Sequence, residues 1–381
     1  MQRDARRLRR SSTIAGVGDG VVAVALPLLA ANLTRDPLAI ATVVALQHLP
    51  WALVHAGWRF VGTDRRTLVG LVDTMRAVTL GLLGLVAMAG QETVLDIQLA
   101  AVVVGLGEAL TDGTETETDD VSGLSARGML GMAVVGLPLG GVLYEIFPAT
   151  PFLFEVFAFA IAALFALLIR RPVVPPEVVR VEVEVPRPPV VIGQVTLAAS
   201  IAALAASAVL GVLVLFALDD LGLGAPAFGG LLAGIAVATA AGGYVAPEIG
   251  KLLGIRTAIV LGLLAAGAGH ATAGQIADPN RPILAAIAMG VAAAASMTAA
   301  VLLRTLLPAR RPDAMRRFHL TVWSAIPMGA LIGGWIARRR SVEEVLLWAA
   351  AAWVAAAIAA FLVPRPGKSF DGPSRRVMPL P

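Results

Sequence analysis

Asp19 is flanked by Gly18 and Gly20 near the start of a long apolar stretch. An ionised side chain is costly to bury in apolar surroundings unless it faces a cavity or has a partner. Two interpretations follow from the residues alone. Asp19 either binds and releases a proton or contacts a cation, or it is a structural carboxylate held by hydrogen bonds.

Further charged residues interrupt other apolar stretches. Glu108 and Asp112 are four positions apart, so on a helix they share one face and can form a second acidic site. A solvated helix end is the alternative for Asp112. Asp73 and Arg76 are three apart, which favours an ion pair within one helix that offsets the burial cost of both groups.

His48 stands beside Gln47 in an apolar stretch. Its imidazole can contact a small molecule or titrate near neutral pH, or it can be a hydrogen-bonded structural group. His270 is expected near the end of its helix, at the boundary of its apolar stretch. Glu155 is expected near the outer start of its helix, solvated or paired, with contact to a small molecule as the alternative.

Several kinds of chemistry are excluded. The chain has no Cys, so disulfides, thiolate chemistry and Cys-ligated metals are ruled out, and its four His form no metal-binding pattern. No G-x-x-x-x-G-K-S/T loop is present, and Gly16, Gly18 and Gly20 do not match G-x-G-x-x-G. No arrangement of Ser and His requires a hydrolase. We therefore expect neither an enzyme nor a tightly bound cofactor or metal.

The elements that position these groups are apolar and long. Hydrophobic residues make up 57% of the chain, charged residues 15%, and the mean hydropathy is +0.81, whereas soluble domains have about 25% charged residues. Stretches of about 20 apolar residues match a bilayer, which predicts an all-α integral membrane protein with twelve transmembrane helices. They lie near 13–32, 38–60, 68–90, 94–111, 124–143, 149–169, 192–217, 226–245, 255–276, 283–306, 318–336 and 344–363.

The twelve helices are predicted to form two pseudo-symmetric six-helix bundles. A Pro-rich, charged linker at 170–191 separates a bundle over 13–169 from one over 192–363, with a basic N-terminus at 1–12 and a tail at 364–381. An internal repeat supports the division. Three pairs are each 189 positions apart: Pro37 and Pro226, Pro138 and Pro327, and Gly140 and Gly329.

Basic residues concentrate in the loops and tails on one predicted side of the membrane. The positive-inside rule therefore places both termini in the cytoplasm, and this distribution reflects topology rather than nucleic-acid binding. The run from Arg338 to Arg340 is the exception, because it falls on the predicted outer side.

The order of local sequence patterns resembles the major facilitator superfamily, and within it the transmembrane secretion effector branch of macrolide-efflux and enterobactin-exporter-like proteins. The first half carries GVGDGVVAVALPLLAANLTRDPLAI at 16–40, LPWAL at 49–53, GLGEALTD at 105–112 and GLPLGGVL at 136–143. The second carries LDDLGLGAPAFGGLLAG at 218–234 and PMGALIGG at 327–334. The similarity covers most of the chain.

The resemblance implies a central cavity between two halves and a family Asp at the position of Asp19. Gly136, Pro138, Gly140 and Gly141 approximate the exporter-associated pattern G-P-x-x-G-G, with the proline displaced by one position. Ordinary packing of small residues is the alternative explanation. Pro327 and Gly329 occupy the matching places of the second half, so these six residues are expected to shape gating.

One departure from the family concerns the loop between helices 2 and 3. The family pattern G-x-x-x-D-R-x-x-R-R, aligned on Gly57, places Val61 and Gly62 where Asp and Arg are expected. Only its tail, 64–66 (Asp64, Arg65 and Arg66), remains, and the region after Asp112 is short for the family. The change between the conformations open to either side of the membrane is therefore expected to be weakened or to depend on other residues.

Together these features predict a monomeric, multi-pass protein of a bacterial plasma or inner membrane. Its expected activity is proton-coupled export of a small amphipathic molecule, such as a drug, siderophore or secondary metabolite, by alternating access. An importer or uniporter of a small solute is one alternative. A transporter-like receptor or assembly partner without turnover is the other.

Overall fold

The computed structural model describes residues 2–56, 65–112, 130–167, 189–307 and 312–363, and within these ranges the regular structure is entirely helical. The first six helices are α1 (Gln2–Leu33), α2 (Pro37–His55), α3 (Arg65–Met88), α4 (Val94–Asp112), α5 (Leu137–Ile146, preceded by a π-helical turn, Met132–Gly136) and α6 (Thr150–Leu167). The next six are α7 (Pro189–Leu215, continued by a π-helical turn, Phe216–Asp220), α8 (Ala225–Leu253), α9 (Ile255–Gln275), α10 (Pro282–Thr305), α11 (Pro312–Arg339) and α12 (Val342–Phe361).

The all-α fold with twelve helices is confirmed, and the differences are at the helix ends. α1 begins at Gln2, so the basic segment assigned to 1–12 is helical from residue 2, and α2 ends at His55 rather than near residue 60. α8 continues past the predicted end at 245 to Leu253, with Pro247 accommodated inside the helix. Asp64, the region 113–129, the linker up to residue 188 and the tail 364–381 lie outside the described residues.

Nine of the helices in the described ranges are long and apolar enough to cross a membrane. Of the other three, α4 carries three acidic residues, while the described apolar parts of α5 and α6 are shorter. Outward faces are apolar as well: Leu71, Val78, Leu82 and Leu85 are exposed along α3 at helical spacing. Such a surface is compatible with lipid rather than with water.

Local sequence signals explain where several helices begin and end. Asp36 accepts a hydrogen bond from the Leu38 backbone N–H at 3.1 Å and precedes Pro37, the first residue of α2. Ser341 caps α12 in the same manner. Gly254 alone connects α8 to α9 with φ +79°, a conformation that favours glycine.

Helix packing within α1–α6 recurs within α7–α12. α1 packs against α5 and α6, and α7 packs against α11 and α12. The pairs α2–α4, α3–α4 and α3–α6 likewise recur as α8–α10, α9–α10 and α9–α12. Two equivalent contacts, α2–α11 and α5–α8, join the two sets of helices.

The glycines that are 189 positions apart lie at equivalent helix crossings. A Cβ atom on Gly140 would lie 2.7 Å from the carbonyl oxygen of Val21 in α1. A Cβ atom on Gly329 would clash with the carbonyl oxygen of Leu204 in α7. Both crossings therefore depend on close backbone approach, as small residues permit in membrane helices.

Glycines also line the contacts between the two sets. A Cβ atom on Gly141 would lie 2.9 Å from the Cα atom of Pro226, at the start of α8. On the other side, a Cβ atom on Gly334 would lie 2.9 Å from the carbonyl oxygen of Pro37, at the start of α2. Pro37 and Pro226, one pair of the repeat, thus lie at the start of α2 and α8, and each of these helices contacts the opposite half.

Replacing Gly329 with Ala is expected to destabilise the protein by about 1–3 kcal/mol, because the added methyl group meets backbone that cannot move independently. Gly234→Ala in α8 is the matched control, since a Cβ atom there meets nothing within 4 Å and alanine is favoured over glycine in a helix. Thermal unfolding in detergent measures both variants. Equal unfolding temperatures for the two would contradict the close crossing at Gly329.

Candidate functional site

Three helices of the first half bring together a buried cluster of charges: Asp19 from α1, Arg76 from α3 and Glu155 from α6. The Arg76 guanidinium donates a hydrogen bond to the Asp19 carboxylate and lies 3.9 Å from Oε1 of Glu155. Arg76 is 4% exposed and Glu155 is fully buried, whereas the Asp19 side chain is 26% exposed. Asp19 is thus the member of the cluster with access to its surroundings.

Glycines provide the space for these side chains. A Cβ atom on Gly18 would clash with the Glu155 carboxylate, and a Cβ atom on Gly107 would clash with the Arg76 side chain. The guanidinium also lies over the Phe159 ring, 4.6 Å from its centroid, in a cation–π contact. The glycine-rich sequences around Asp19 and Glu108 are therefore required for the cluster to be buried.

The charges of the cluster do not balance. Arg76 contributes one positive charge, whereas Asp19 and Glu155 contribute two negative charges when both are ionised. Neither carboxylate oxygen of Glu155 has a hydrogen-bond partner among the described residues, and an uncompensated buried charge is costly. Binding one proton makes the three side chains neutral, so the cluster can chemically take up and release a proton.

Glu108 connects this region to α2. The Gln47 side-chain amide donates to Oε1 of Glu108 at 3.4 Å. α2 and α4 are in close contact here, because a Cβ atom on Gly105 would clash with the backbone carbonyl oxygen of Gln47. The next residue of α2, His48, lines a cavity whose other wall residues belong to the second half.

The cavity has a volume of about 300 Å³, is partly open, and is lined mainly by helices of the second half. Small and aliphatic side chains make up most of its wall, and the described residues that line it include no Asp, Glu, Lys or Arg. Six side chains with hydrogen-bonding groups are present: His48, Ser207, Thr239, His270, Ser296 and Trp353. A largely apolar concave site with a few polar groups is typical of small-molecule binding.

The two halves contact each other at both ends of α2. At its start, Arg35 pairs with Asp219 at 3.0 Å, and Asp36 pairs with Arg338 at 3.5 Å. At its end, Trp51 stacks on Trp323 of α11 with ring centroids 4.4 Å apart. The imidazoles of His55 and His319 lie beside this stack, 5.0 Å apart.

The predicted site residues are thus separated into two places. Asp19 belongs to the buried cluster, with Glu108 reached through Gln47, whereas His48 lines the cavity. The ion pairs of Arg76 are with Asp19 and Glu155, so the predicted pairing with Asp73 on its own helix is wrong. Arg65 and Arg66 begin α3 and Asp112 ends α4; their side chains lie outside the description.

Two residues lie deeper than the sequence suggested. Glu155 is not solvated at the start of its helix: it is buried against Gly18. His270 is 7% exposed and stacks on Trp353, with centroids 5.9 Å apart, rather than reaching an interface. One signal for Glu155 was present in the sequence, since it is the sole charged residue of α6 and lies among apolar side chains.

Comparison with models of known protein families finds no match, and comparison with characterised protein sequences finds none either. Solved structures do match. A bacterial homologue of the iron transporter ferroportin in an inward-facing state has a TM-score of 0.75 and 15% identity, covering 94% of this chain and 98% of that chain. The nucleoside transporter NupG has a TM-score of 0.66 and 15% identity, covering 93% of this chain and 98% of that one.

A bacterial homologue of the human lysosomal transporter Spinster, in an inward-facing and occupied conformation, has a TM-score of 0.69 and 13% identity. It covers 94% of this chain and 95% of that chain. The chain therefore has the major facilitator fold, and these structural neighbours are transporters rather than enzymes. At these identities the similarity establishes the fold alone, and the secretion-effector branch stays a prediction.

Proposed function

We propose that this protein is a secondary active transporter that exports a small amphipathic molecule in exchange for protons. The observation that carries the proposal is the buried cluster of Asp19, Arg76 and Glu155, whose charges balance when it holds one proton. Ionisable groups inside a membrane protein commonly mark proton relays or ion pathways. The apolar cavity supplies a separate place for the transported molecule.

The coupling is proposed to run through α2. Gln47 contacts the acidic residue next to the cluster, and the adjacent His48 contacts the cavity. A change of charge at the cluster that moves α2 therefore also moves a wall of the cavity. α2 is suited to this role because it packs against both α4 and α11, that is, against both halves.

Alternating access requires contacts between the halves that break and re-form. With the termini in the cytoplasm, the pairs Arg35–Asp219 and Asp36–Arg338 lie on the outer side, and the stack of Trp51 and Trp323 lies toward the inner side. The pairs are partly exposed, so they contribute little energy and separate easily. The resemblance of the Gly and Pro pattern at 136–141 to the exporter-associated pattern supports export over import.

Gln47→Leu is expected to uncouple the two sites, because leucine fills a similar space but cannot donate a hydrogen bond to Glu108. Proton-driven flux should fall about tenfold, the loss expected for a hydrogen bond to a charged group, while cargo binding stays within a factor of two. Gln98→Leu in α4 is the control, since Gln98 belongs neither to the charged cluster nor to the cavity wall. Equal losses of flux and of binding affinity would argue for a structural role instead.

The experiment that tests the proposal is efflux of fluorescent amphipathic compounds from proteoliposomes, with and without an imposed proton gradient. Gradient-dependent movement against the concentration gradient of the compound supports proton-coupled transport. Flux only down the compound's own gradient would identify a uniporter, and uptake driven by protons moving in the same direction would identify an importer. Binding without flux would identify a transporter-like receptor, the alternative that the incomplete pattern between α2 and α3 keeps open.

A further inference from the structure

The hydroxyl groups of the cavity have already used their single donor. Ser207 and Thr239 each donate to the backbone carbonyl oxygen four residues earlier in the same helix, at 2.8 Å. Ser296 donates to the carbonyl oxygen three residues earlier, at 2.9 Å. A hydroxyl has one hydrogen and two lone pairs, so each group offers only acceptor capacity to a bound molecule.

The two imidazoles of the cavity have the same polarity. Nδ1 of His48 lies 2.9 Å from the carbonyl oxygen of Val44, and Nδ1 of His270 lies 2.8 Å from that of Ala266. A carbonyl oxygen only accepts, so Nδ1 carries the hydrogen in both rings. In a neutral imidazole the other nitrogen, Nε2, is then an acceptor, and neither Nε2 has a partner within the described part of the chain.

The remaining polar group is the indole of Trp353. Its Nε1–H is buried without a partner among the described residues. The wall therefore combines acceptor sites on five side chains with one indole donor. Since the described residues that line the cavity carry no carboxylate or ammonium group, a permanent charge on a bound molecule would have no counter-charge among them, which is unfavourable in an apolar site.

We propose that the cavity binds an uncharged, largely apolar molecule that presents N–H or O–H donors to these acceptors. This inference deepens the proposed function by naming the chemical class of the cargo, and it concerns binding at equilibrium rather than flux. A molecule that carries only acceptors could accept a hydrogen bond from Trp353 alone and would place its other lone pairs against those of the wall. A molecule with donors satisfies groups that otherwise lack a partner, which gives the site its selectivity.

Carbazole and N-methylcarbazole form a suitable pair of probes, because both are apolar and uncharged and only carbazole has an N–H donor. Tetraphenylphosphonium is the charged comparison. Radiolabelled compounds are bound to the full-length protein in nanodiscs, and binding to empty nanodiscs is subtracted. We expect carbazole to bind about tenfold more tightly than N-methylcarbazole, the effect of one well-placed hydrogen bond, and tetraphenylphosphonium to bind more weakly than carbazole.

Variants that remove one acceptor identify the cavity as the site. His270→Phe keeps a ring to stack on Trp353, and Thr239→Val keeps the side-chain volume. At least one of these, or Ser296→Ala, should reduce carbazole affinity about tenfold while leaving N-methylcarbazole affinity unchanged. Thr196→Val is the matched control, because Thr196 also donates to its own helix, at 2.8 Å, but does not line the cavity.

A folding defect would weaken both carbazoles equally, so the comparison between them isolates the lost acceptor. Equal binding of carbazole and N-methylcarbazole, stronger binding of the cation, or no binding of carbazole would each overturn the inference. Gradient-driven efflux without donor preference would leave the proposed function standing and remove this inference. Donor preference without gradient-driven efflux would support this inference and contradict the proposed function.

Discussion

Replacing Asp19 with Asn is expected to reduce proton-driven flux to background, a loss on the order of 100-fold, as for removal of a proton-transfer group. The reason is the charge balance of the cluster. With an amide at position 19, Arg76 and Glu155 form a neutral pair that needs no proton. Asn retains an oxygen that can accept the hydrogen bond from Arg76, so folding should be preserved.

The measurement is gradient-driven efflux by purified protein in proteoliposomes, after correction for the amount of folded protein. Asp96→Asn is the matched control, because Asp96 lies at the start of α4 and accepts hydrogen bonds from Thr93 away from the cluster. That variant should transport at the original rate. Unchanged efflux by Asp19→Asn protein would remove Asp19 from the coupling mechanism.

Glu155→Gln distinguishes the two carboxylates. It leaves Asp19 and Arg76 as a neutral pair, so it should abolish coupling as well if the cluster acts as a unit. If efflux persists in Glu155→Gln protein but not in Asp19→Asn protein, Asp19 is the group that exchanges the proton and Glu155 is a structural partner. Because the Asp19 side chain is more exposed than that of Glu155, Asp19 is the better placed of the two to contact the proton pathway.

The fold was predictable because it depends on local properties of the sequence. Each apolar stretch long enough to cross a bilayer predicts a helix irrespective of its neighbours. The repeat was detectable for a related reason. Gly140 and Gly329 lie at equivalent close crossings, where a side chain on either would meet backbone, so the same residue type occurs at the same spacing in both halves.

The composition of the charged cluster was not predictable, because it depends on which helices meet. Spacing along α3 identified only a partner on the same helix, Asp73. The observed partners, Asp19 and Glu155, come from α1 and α6, about 60 and 80 positions away along the chain. Their approach requires Gly18 and Gly107, whose role is evident only once α1, α3, α4 and α6 are packed together.

The polar wall of the cavity was likewise only partly predictable from the sequence. His48 was identified as a residue that can contact a small molecule, and the structure places it in the cavity wall. The other polar groups of the wall come from separate helices of the second half, and no sequence spacing links them. Apart from Trp353, which is a donor, these groups share acceptor polarity because each donates a hydrogen bond to its own helix, which depends on side-chain orientation as well as on residue type.

Arg76→Met is expected to lower the stability of the folded protein by about 3–5 kcal/mol, the cost of leaving buried charges without a partner. Methionine fills a similar volume, so the loss is electrostatic rather than a cavity effect. Arg256→Met is the matched control. Arg256 also lies over a phenylalanine ring, with its guanidinium carbon 4.7 Å from the Phe361 centroid, so that variant should lose only about 0.5–1 kcal/mol.

The second step of this test removes part of the charge imbalance. In Arg76→Met protein the two carboxylates remain, so adding Glu155→Gln removes one of the two unpaired charges and should recover part of the lost stability. Unfolding in detergent, followed by circular dichroism, measures the single and double variants. If Glu155→Gln instead lowers stability equally in the original protein and in Arg76→Met protein, the two side chains are not energetically coupled, and the cluster cannot be the unit that exchanges the proton.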